Sequence, residues 1–251
     1  MYDLKGKVAL VTGGGRDIGG QISRRLAEQG ASVCFNYFDG PEKAEQTLKE
    51  IQSNKGKVVA LQGDMTKQAD IDSLVNKCRD SFGGKIDILV NVVGGLVGRK
   101  TMNEMDADFW DFVVTLNLKT VFLVTKAALP YMGEGGSIIN FSSQAARDGG
   151  GGGAIAYSTS KGGVLTFTKG LAKEVGPKGI RVNCISPGMI NTTFHDTFTK
   201  PEIREKVAAS TPLKREGEAR EVADLVAYLA SGNSSFITGA SIEINGGTYF
   251  V

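Results

Sequence analysis

The chain has 251 residues, of which 41% are hydrophobic and 22% charged, and this length suits one large α/β domain. The formal net charge of +2 is too small to favour nucleic acid or an anionic membrane surface as a partner. With one His and three dispersed Cys no metal site is expected, and without an apolar run of about 18 residues or a basic-apolar leader we expect no membrane contact and a cytoplasmic protein.

Apolar runs alternate with segments of helical periodicity along the chain. The predicted strands are 7–12, 32–36, 57–62, 86–91, 137–141, 181–185 and 241–245. The predicted helices are 17–29, 41–54, 68–82, 108–131, 155–175 and 218–229, and residues 191–215 are irregular and partly helical. Continuous Val, Ile and Leu strands joined through helices predict a doubly wound, parallel seven-stranded sheet of the Rossmann type, as a single α/β domain over residues 1–251.

A glycine-rich turn, Thr12–Gly19, joins the first strand to the first helix. Glycines at such a turn let backbone N–H groups approach a pyrophosphate, and the helix N-terminus adds about half a positive charge. A turn whose glycines serve only packing is the alternative. The residues predicted to contact a dinucleotide here are Gly13, Gly15, Arg16, Asp17, Ile18 and Gly19.

A tyrosine and a lysine, Tyr157 and Lys161, share one face of the predicted helix 155–175, with Ser142-Ser143 upstream. A nearby ammonium stabilises a phenolate and lowers the pKa of a tyrosine from about 10, which makes the phenol a better proton shuttle. A chance pair on a solvated helix face is the alternative. The five glycines 149–153 between Ser143 and Tyr157 predict a mobile loop at the rim of a site.

These motifs, in this order, resemble those of the short-chain dehydrogenase/reductase family over nearly the whole chain. The resemblance implies hydride transfer between nicotinamide C4 and a carbonyl carbon. It also implies an active-site tetrad: Tyr157 as general acid, Ser143 on the carbonyl oxygen, Lys161 on the nicotinamide ribose, and Asn117 anchoring a water. Ser142 is the rival to Ser143. The remaining family motifs imply cofactor contacts at Asp64, Met65, Asn91, Gly94, Tyr157, Lys161, Pro187, Gly188, Ile190 and Thr192.

Two departures from the family pattern concern the dinucleotide. Asp17 replaces the middle glycine of the turn, and Val92-Val93 replace an amide and a small residue after the fourth strand. A carboxylate repels a pyrophosphate by about 1 kcal/mol when solvent screens it. Asp is also a good N-cap, so we expect Asp17 to cap the first helix and dinucleotide binding to survive.

The second strand ends in Asn36 and Tyr37 rather than in an acid that would bind both ribose hydroxyls. Arg16 in the turn could pair a 2′-phosphate, although it could also be a plain surface charge. Asp39 could still fold back onto the ribose. The sequence therefore favours NADP(H), with NAD(H) possible.

The substrate is expected to be a small carbonyl compound covered by residues of about 188–215. Three segments, 95–105, 144–153 and 189–210, are expected to set specificity, and His195 is expected to be a solvated loop residue. The pattern most resembles 3-oxoacyl-(acyl-carrier-protein) reductases, with Lys173 as one basic contact, but 132–136 lacks a second basic cluster. A sugar, uronate or other small-ketone reductase is the alternative, and a non-catalytic dinucleotide-binding module is another.

The apolar stripes on the two long predicted helices are wider than one side of a sheet can cover. The resemblance to the family implies that these faces pair subunits, so we expect a homotetramer. The stripe residues are Phe112, Leu116, Val121, Leu123, Val164, Leu165, Phe167 and Leu171. The apolar end 249–251 is expected to lie in an interface as well.

Overall fold

A computed structural model describes residues 2–251. The strands are β1 (Val8–Thr12), β2 (Ser32–Tyr37), β3 (Val58–Gln62), β4 (Ile88–Asn91), β5 (Ser137–Phe141), β6 (Arg181–Pro187), β7 (Ile190–Asn191), β8 (Gly217–Glu218) and β9 (Ser241–Ile244). The helices are α1 (Asp17–Glu28), α2 (Pro41–Ser53), α3 (Gln68–Phe82), α4 (Ala107–Val114), α5 (Thr120–Ala128), α6 (Ala145–Asp148), α7 (Ile155–Val175), α8 (Thr193–Phe198), α9 (Pro201–Ser210) and α10 (Ala219–Ala230).

The main sheet has seven strands in the order β3-β2-β1-β4-β5-β6-β9, and every neighbouring pair is parallel. The predicted fold class is therefore confirmed. The strand order reverses between β1 and β4, and in open α/β sheets ligands bind at the carboxyl ends of the strands beside such a reversal. The short strands β7 and β8 form a separate parallel pair beyond β6.

Both faces of the sheet are covered by helices. Alternate residues of a strand point to opposite faces, so Val11 of β1 packs in one core with α1 and α10, and Leu10 packs in the other with α3 and α5. All five residues of β1 are buried, as they are in β5. This double coverage explains why the strands are continuous apolar runs.

The predicted helix 108–131 is α4 and α5 joined through a π-helical turn, Thr115–Lys119, and followed by a short 3₁₀ turn. Contrary to the sequence analysis, this stretch is long and apolar enough to span a membrane by length and composition. Val113, Val121 and Val124 are buried in the protein. A helix in the core of a protein can be equally long and apolar. The stretch is therefore weak evidence for a membrane span.

Half of the predicted apolar stripe belongs to the core. Val121, Val164, Leu165 and Leu171 are buried, which the helical period could not show because two layers of neighbours cover α5 and α7. Two phenylalanines remain on the surface: Phe112 of α4 is 50% exposed and Phe122 of α5 is 44% exposed.

Candidate active site

One cavity of about 1090 Å³ opens at the carboxyl ends of the central strands. The Thr12–Gly19 turn and the end of β2 form one end, and the residues after β5 with α7 form the other. The segment after β6 covers it. Its lining brings together residues far apart in sequence: Gly13, Gly15, Arg16, Asp17, Ile18, Gly19, Asn36, Tyr37, Asp64, Met65, Gly94, Ser143, Tyr157, Lys161, Pro187, Gly188, Ile190 and Thr192.

The glycine-rich turn needs glycine for two different reasons. Gly13 has φ +64°, in the left-handed region that glycine adopts without strain. A Cβ on Gly19 would lie 1.9 Å from the carbonyl oxygen of Gly13, so the start of α1 packs directly on the turn. The backbone N–H groups of a turn this close to a helix start suit a pyrophosphate, and the turn therefore fits a dinucleotide.

Asn36 is a brace for this turn. Its Oδ1 accepts the Gly13 N–H at 2.8 Å, and its Nδ2 donates to the Gly63 carbonyl at 2.9 Å. The side chain is buried and both its polar groups have protein partners, and the residue lines the cavity where a cofactor contact is predicted. Tyr37, the last residue of β2, is half-buried and lines the cavity.

Asp17 does not cap α1. Arg16 holds the N-cap position and makes no side-chain cap bond, whereas the Asp17 carboxylate accepts the backbone N–H of Thr193, the first residue of α8, at 3.2 Å. The expectation of a cap on the first helix was wrong because the carboxylate reaches a different helix. Arg16 itself donates to Thr193, Asp17 and Asp39, with 39% of its side chain exposed at the cavity.

Helix α7 places Tyr157 and Lys161 on one face, with the Lys161 Nζ 5.9 Å from the centre of the Tyr157 ring. Lys161 is 4% exposed, and its Nζ donates to the Phe141 carbonyl at 2.8 Å. Ser143 lines the cavity beside Tyr157, and its Oγ accepts the Ala145 N–H at 3.2 Å. Ser142 also lines the cavity, but it is buried and its hydroxyl donates to the Lys161 carbonyl at 2.8 Å, which joins β5 to α7. Ser143 is the more exposed of the two serines.

Burial dominates the titration of this group. It raises the pKa of the Tyr157 phenol, and the hydrogen bond from Ser143 offsets only part of that effect. It also lowers the pKa of Lys161 to about 8. The expectation that Lys161 lowers the pKa of Tyr157 is therefore wrong for the protein alone, since desolvation outweighs any effect of the ammonium. Behind Lys161, burial raises the pKa of the Cys184 thiol to about 12.

Asn117 is fully buried in the π-helical turn, and its side chain does not line the cavity. Its Oδ1 accepts the Gly95 N–H and its Nδ2 donates to the Gly95 and Val113 carbonyls, each at 2.9 Å. The side chain therefore fixes the loop after β4. A Cβ on Gly94 would lie 2.6 Å from Asn117 Oδ1 and 2.9 Å from Lys161 Nζ, so only glycine fits between them.

Asn91 is a predicted cofactor contact that lies outside the cavity lining. Its Nδ2 donates to Thr125 and to Asn140 of the neighbouring strand, and the buried residue does not line the cavity. These bonds hold β4 against β5. Asp64 and Met65 do line the cavity, and Asp64 accepts the N–H and hydroxyl of Thr66 at 2.9 and 2.7 Å.

An aromatic cover over Tyr157 was missed by the sequence analysis. The Phe194 ring centre lies 6.3 Å from that of Tyr157, and Phe198 and His195 pack on Phe194 at 5.1 and 5.0 Å. His195 is not a solvated loop residue as expected: it belongs to α8, lines the cavity and bonds Thr199 through Nδ1 at 3.0 Å. Burial lowers its pKa. The aromatic spacing at 194 and 198 was the available signal.

The glycine run 149–153 is tied to the opposite loop. Lys100 N donates to the Gly153 carbonyl at 3.2 Å, and Arg99 Nη1 donates to the Gly152 carbonyl at 2.9 Å. Val97 in that loop has φ +65° inside a tight turn closed by the Gly98 N–H and the Leu96 carbonyl. A β-branched residue is strained in this backbone conformation. Such strain is typical of functional sites, which agrees with the position of this loop in the cavity wall.

Comparison with known proteins agrees with this geometry. The family model described as enoyl-(acyl carrier protein) reductase matches residues 13–249. Glucose 1-dehydrogenase 2 of Bacillus subtilis is 38% identical over 255 residues, with 98% of this chain and 96% of the relative covered. The 3-oxoacyl-(acyl-carrier-protein) reductase of Staphylococcus aureus is 36% identical over 245 residues, covering 97% and 98%.

A solved structure of a blue fluorescent protein from a metagenomic library, in complex with NADPH, superposes with a TM-score of 0.92 at 33% identity, covering 99% of this chain and 100% of that one. The chain belongs to the short-chain dehydrogenase/reductase family. It is accordingly an oxidoreductase of the nicotinamide-dependent class.

Proposed function

We propose that the protein is an NADP(H)-preferring reductase of ketones with an apolar body, of the 3-oxoacyl thioester type. The observation that supports it is the single cavity in which Ser143, Tyr157 and Lys161 face the Thr12–Gly19 turn. The apolar cover formed by Phe194 and Phe198 suits an acyl chain better than a polyol.

In the proposed mechanism the substrate oxygen lies between Ser143 and Tyr157. When bound, the nicotinamide supplies the hydride that the carbonyl carbon receives. The Ser143 hydroxyl donates a hydrogen bond to the oxygen, and the Tyr157 phenol gives it the proton, so that the carbonyl becomes an alcohol. Lys161, protonated below about pH 8, would hold the ribose hydroxyls of a bound cofactor, and its charge would favour the phenolate against the opposing effect of burial.

The dinucleotide contacts follow from the cavity lining. The turn Gly13–Gly19 would hold the pyrophosphate, Asp64 and Met65 the adenine, and Ile190 and Thr192 the carboxamide. Arg16 at the cavity edge supports a preference for the 2′-phosphate, and a related structure contains NADPH. Arg16→Ala should raise the KM for NADPH and leave that for NADH nearly unchanged, which steady-state kinetics with both cofactors would measure.

The substrate class is tested by NADPH oxidation with an acetoacetyl thioester and with a ketosugar. The proposal expects the thioester to give the higher kcat/KM. A sugar dehydrogenase is the second candidate, since a relative at 38% identity bears the name glucose 1-dehydrogenase. Preference for the sugar would replace the first proposal with this one.

A non-catalytic dinucleotide-binding module makes a separate prediction. Wild type and Tyr157→Phe would then both fail to oxidise NADPH with any ketone, although both bind NADPH. The presence of Ser143, Tyr157 and Lys161 in one cavity supports an enzyme instead.

We also propose a single-domain, cytoplasmic homotetramer whose segment 188–215 covers the substrate. The exposed Phe112 and Phe122 on α4 and α5, and Phe250 and Val251 at the chain end, are apolar surface that subunit contacts would bury. Size-exclusion chromatography with light scattering should give four times the chain mass. A monomer at micromolar concentration would exclude the assembly.

A further inference from the structure

Asp17 occupies a backbone position that suits glycine. Its φ of +49° lies in the left-handed region, where Asp and Asn are tolerated better than other side chains. Replacing it by glycine removes a side chain and relieves backbone strain, so that a variant there keeps the local fold. Any loss of function in that variant therefore reports on the carboxylate.

The carboxylate binds the start of α8, 176 residues further along the chain. Its Oδ1 accepts the Thr193 N–H at 3.2 Å and its Oδ2 accepts the Thr193 hydroxyl. Arg16 Nη1 donates to the same hydroxyl at 2.7 Å and to Asp17 Oδ2 at 3.2 Å. The first N–H groups of a helix have no partner within it, and an acidic group there is stabilising.

Helix α8 depends on such polar contacts because it has only six residues and none of them is buried. The residue after Thr193 is Phe194, whose ring lies over Tyr157. A displacement of the helix start would therefore move Phe194 and admit water to the phenol. Asp17 thus acts at a distance on the reacting group, through Thr193 and Phe194.

Resting on the proposed function, we infer that Asp17 is a positioning residue: by binding Thr193 it holds Phe194 against Tyr157 and closes the substrate side of the cavity. The other groups that face Tyr157 are Ser143 after β5 and Lys161 on α7. His195 lies behind Phe194, and Arg99 lines the same cavity. None of these contacts is altered directly by a change at Asp17.

The test compares Asp17→Gly with wild type in three measurements. The KM for the ketone should rise about fivefold, the factor by which loss of one helix-capping bond usually shifts a helix equilibrium, with a smaller change in kcat. The Tyr157 phenol should titrate about one pH unit lower because water reaches it. This titration is followed in the ligand-free protein as the difference in ultraviolet absorbance from Tyr157→Phe. Chymotrypsin should cut several-fold faster after Phe198, the last residue of α8.

Two further variants sharpen the test. Thr193→Val keeps the backbone N–H but removes the hydroxyl, so that its effects should lie between those of wild type and Asp17→Gly. Asp106→Gly is the matched control, since Asp106 also accepts a helix-start N–H, that of Phe109 at 2.7 Å. Its phenol titration and its cleavage by chymotrypsin after Phe198 should equal those of wild type.

The outcomes separate this inference from the proposed function. If no ketone is reduced by any variant but Asp17→Gly still shifts the phenol titration and the cleavage, the proposed function fails and the positioning role stands. If Asp17→Gly titrates and is cleaved like wild type, the inference is overturned even where the enzyme is active.

Discussion

The two sides of the cavity are held by different forces. The floor of the cavity consists of Phe141–Ser143 with Tyr157 and Lys161 of α7. Phe141, Ser142 and Lys161 are buried, and hydrogen bonds of Ser142 and Lys161 join the end of β5 to α7. The roof consists of α8 and α9, residues 193–210, in which none of the helical residues, all of them described by the structure, is buried.

Polar contacts hold the roof, together with the aromatic contacts of Phe194. Arg204 of α9 donates to both oxygens of Glu216 at 2.7 and 2.6 Å, and also to Asp196 and Asn191. Exchange of such contacts with water costs less than exposing a core, so a roof of this kind opens more readily than the floor. The comparison indicates that the proposed catalytic groups are preorganised and that access to them is adjustable.

Removing the phenol hydroxyl should have the largest effect, because it deletes the proposed proton donor from the floor. Tyr157→Phe should lower kcat/KM for the best ketone by about 10²–10⁴-fold, the usual contribution of a general acid. NADPH affinity, measured by fluorescence titration, should change little. A variant that keeps most of its activity would remove Tyr157 from the mechanism.

A side chain at Gly19 should disturb the proposed pyrophosphate site at the glycine-rich turn. In Gly19→Ala the new Cβ would lie 1.9 Å from the Gly13 carbonyl oxygen, so the turn must shift and NADPH binding should weaken by more than about tenfold. Gly133→Ala is the control, because a Cβ there meets nothing within 4 Å. Equal NADPH affinity in the two variants would contradict a pyrophosphate site at this turn.

The buried ammonium should give the floor a pH-dependent stability. The folded pKa of Lys161 is about 8 and the unfolded value about 10.4, so the unfolded state binds more protons between these values and stability rises with pH. The free energy of unfolding of wild type minus that of Lys161→Met should increase by about 1.4 kcal/mol from pH 7 to pH 9.

Denaturant melts of both proteins at several pH values and one protein concentration would measure that difference. A value that stays flat over this range would show that Lys161 is solvated in the folded protein.

Loosening the roof should have the smallest effect and should act on binding. Arg204→Leu breaks the contacts to Glu216 and Asp196 and should raise the KM for the ketone several-fold with kcat nearly unchanged. Arg215→Leu is the matched control, since Arg215 pairs with Glu221 at an exposed site. A kcat loss in Arg204→Leu alone would show that the roof also orders the floor.

The resemblance and the spacing predicted Tyr157, Lys161 and Ser143 for one cavity, because a helical period and an ordered set of motifs place them there. The roles of Asn36 and Asn91 could not be predicted in the same way. An amide at a strand end has the same sequence signature whether it faces a ligand or another part of the protein. The partners that decide are Gly13 of the turn after β1 and Asn140 of β5, which are distant in sequence.

The sequence by itself determined the doubly wound sheet, the glycine turn and the catalytic spacing, since continuous apolar strands and local periodicity carry that information within short segments. Only the tertiary structure decided that Asp17 reaches α8 and that burial governs the pKa of Tyr157 and Lys161. Those properties arise from groups brought together across the fold, and desolvation exists only once the chain has packed around them.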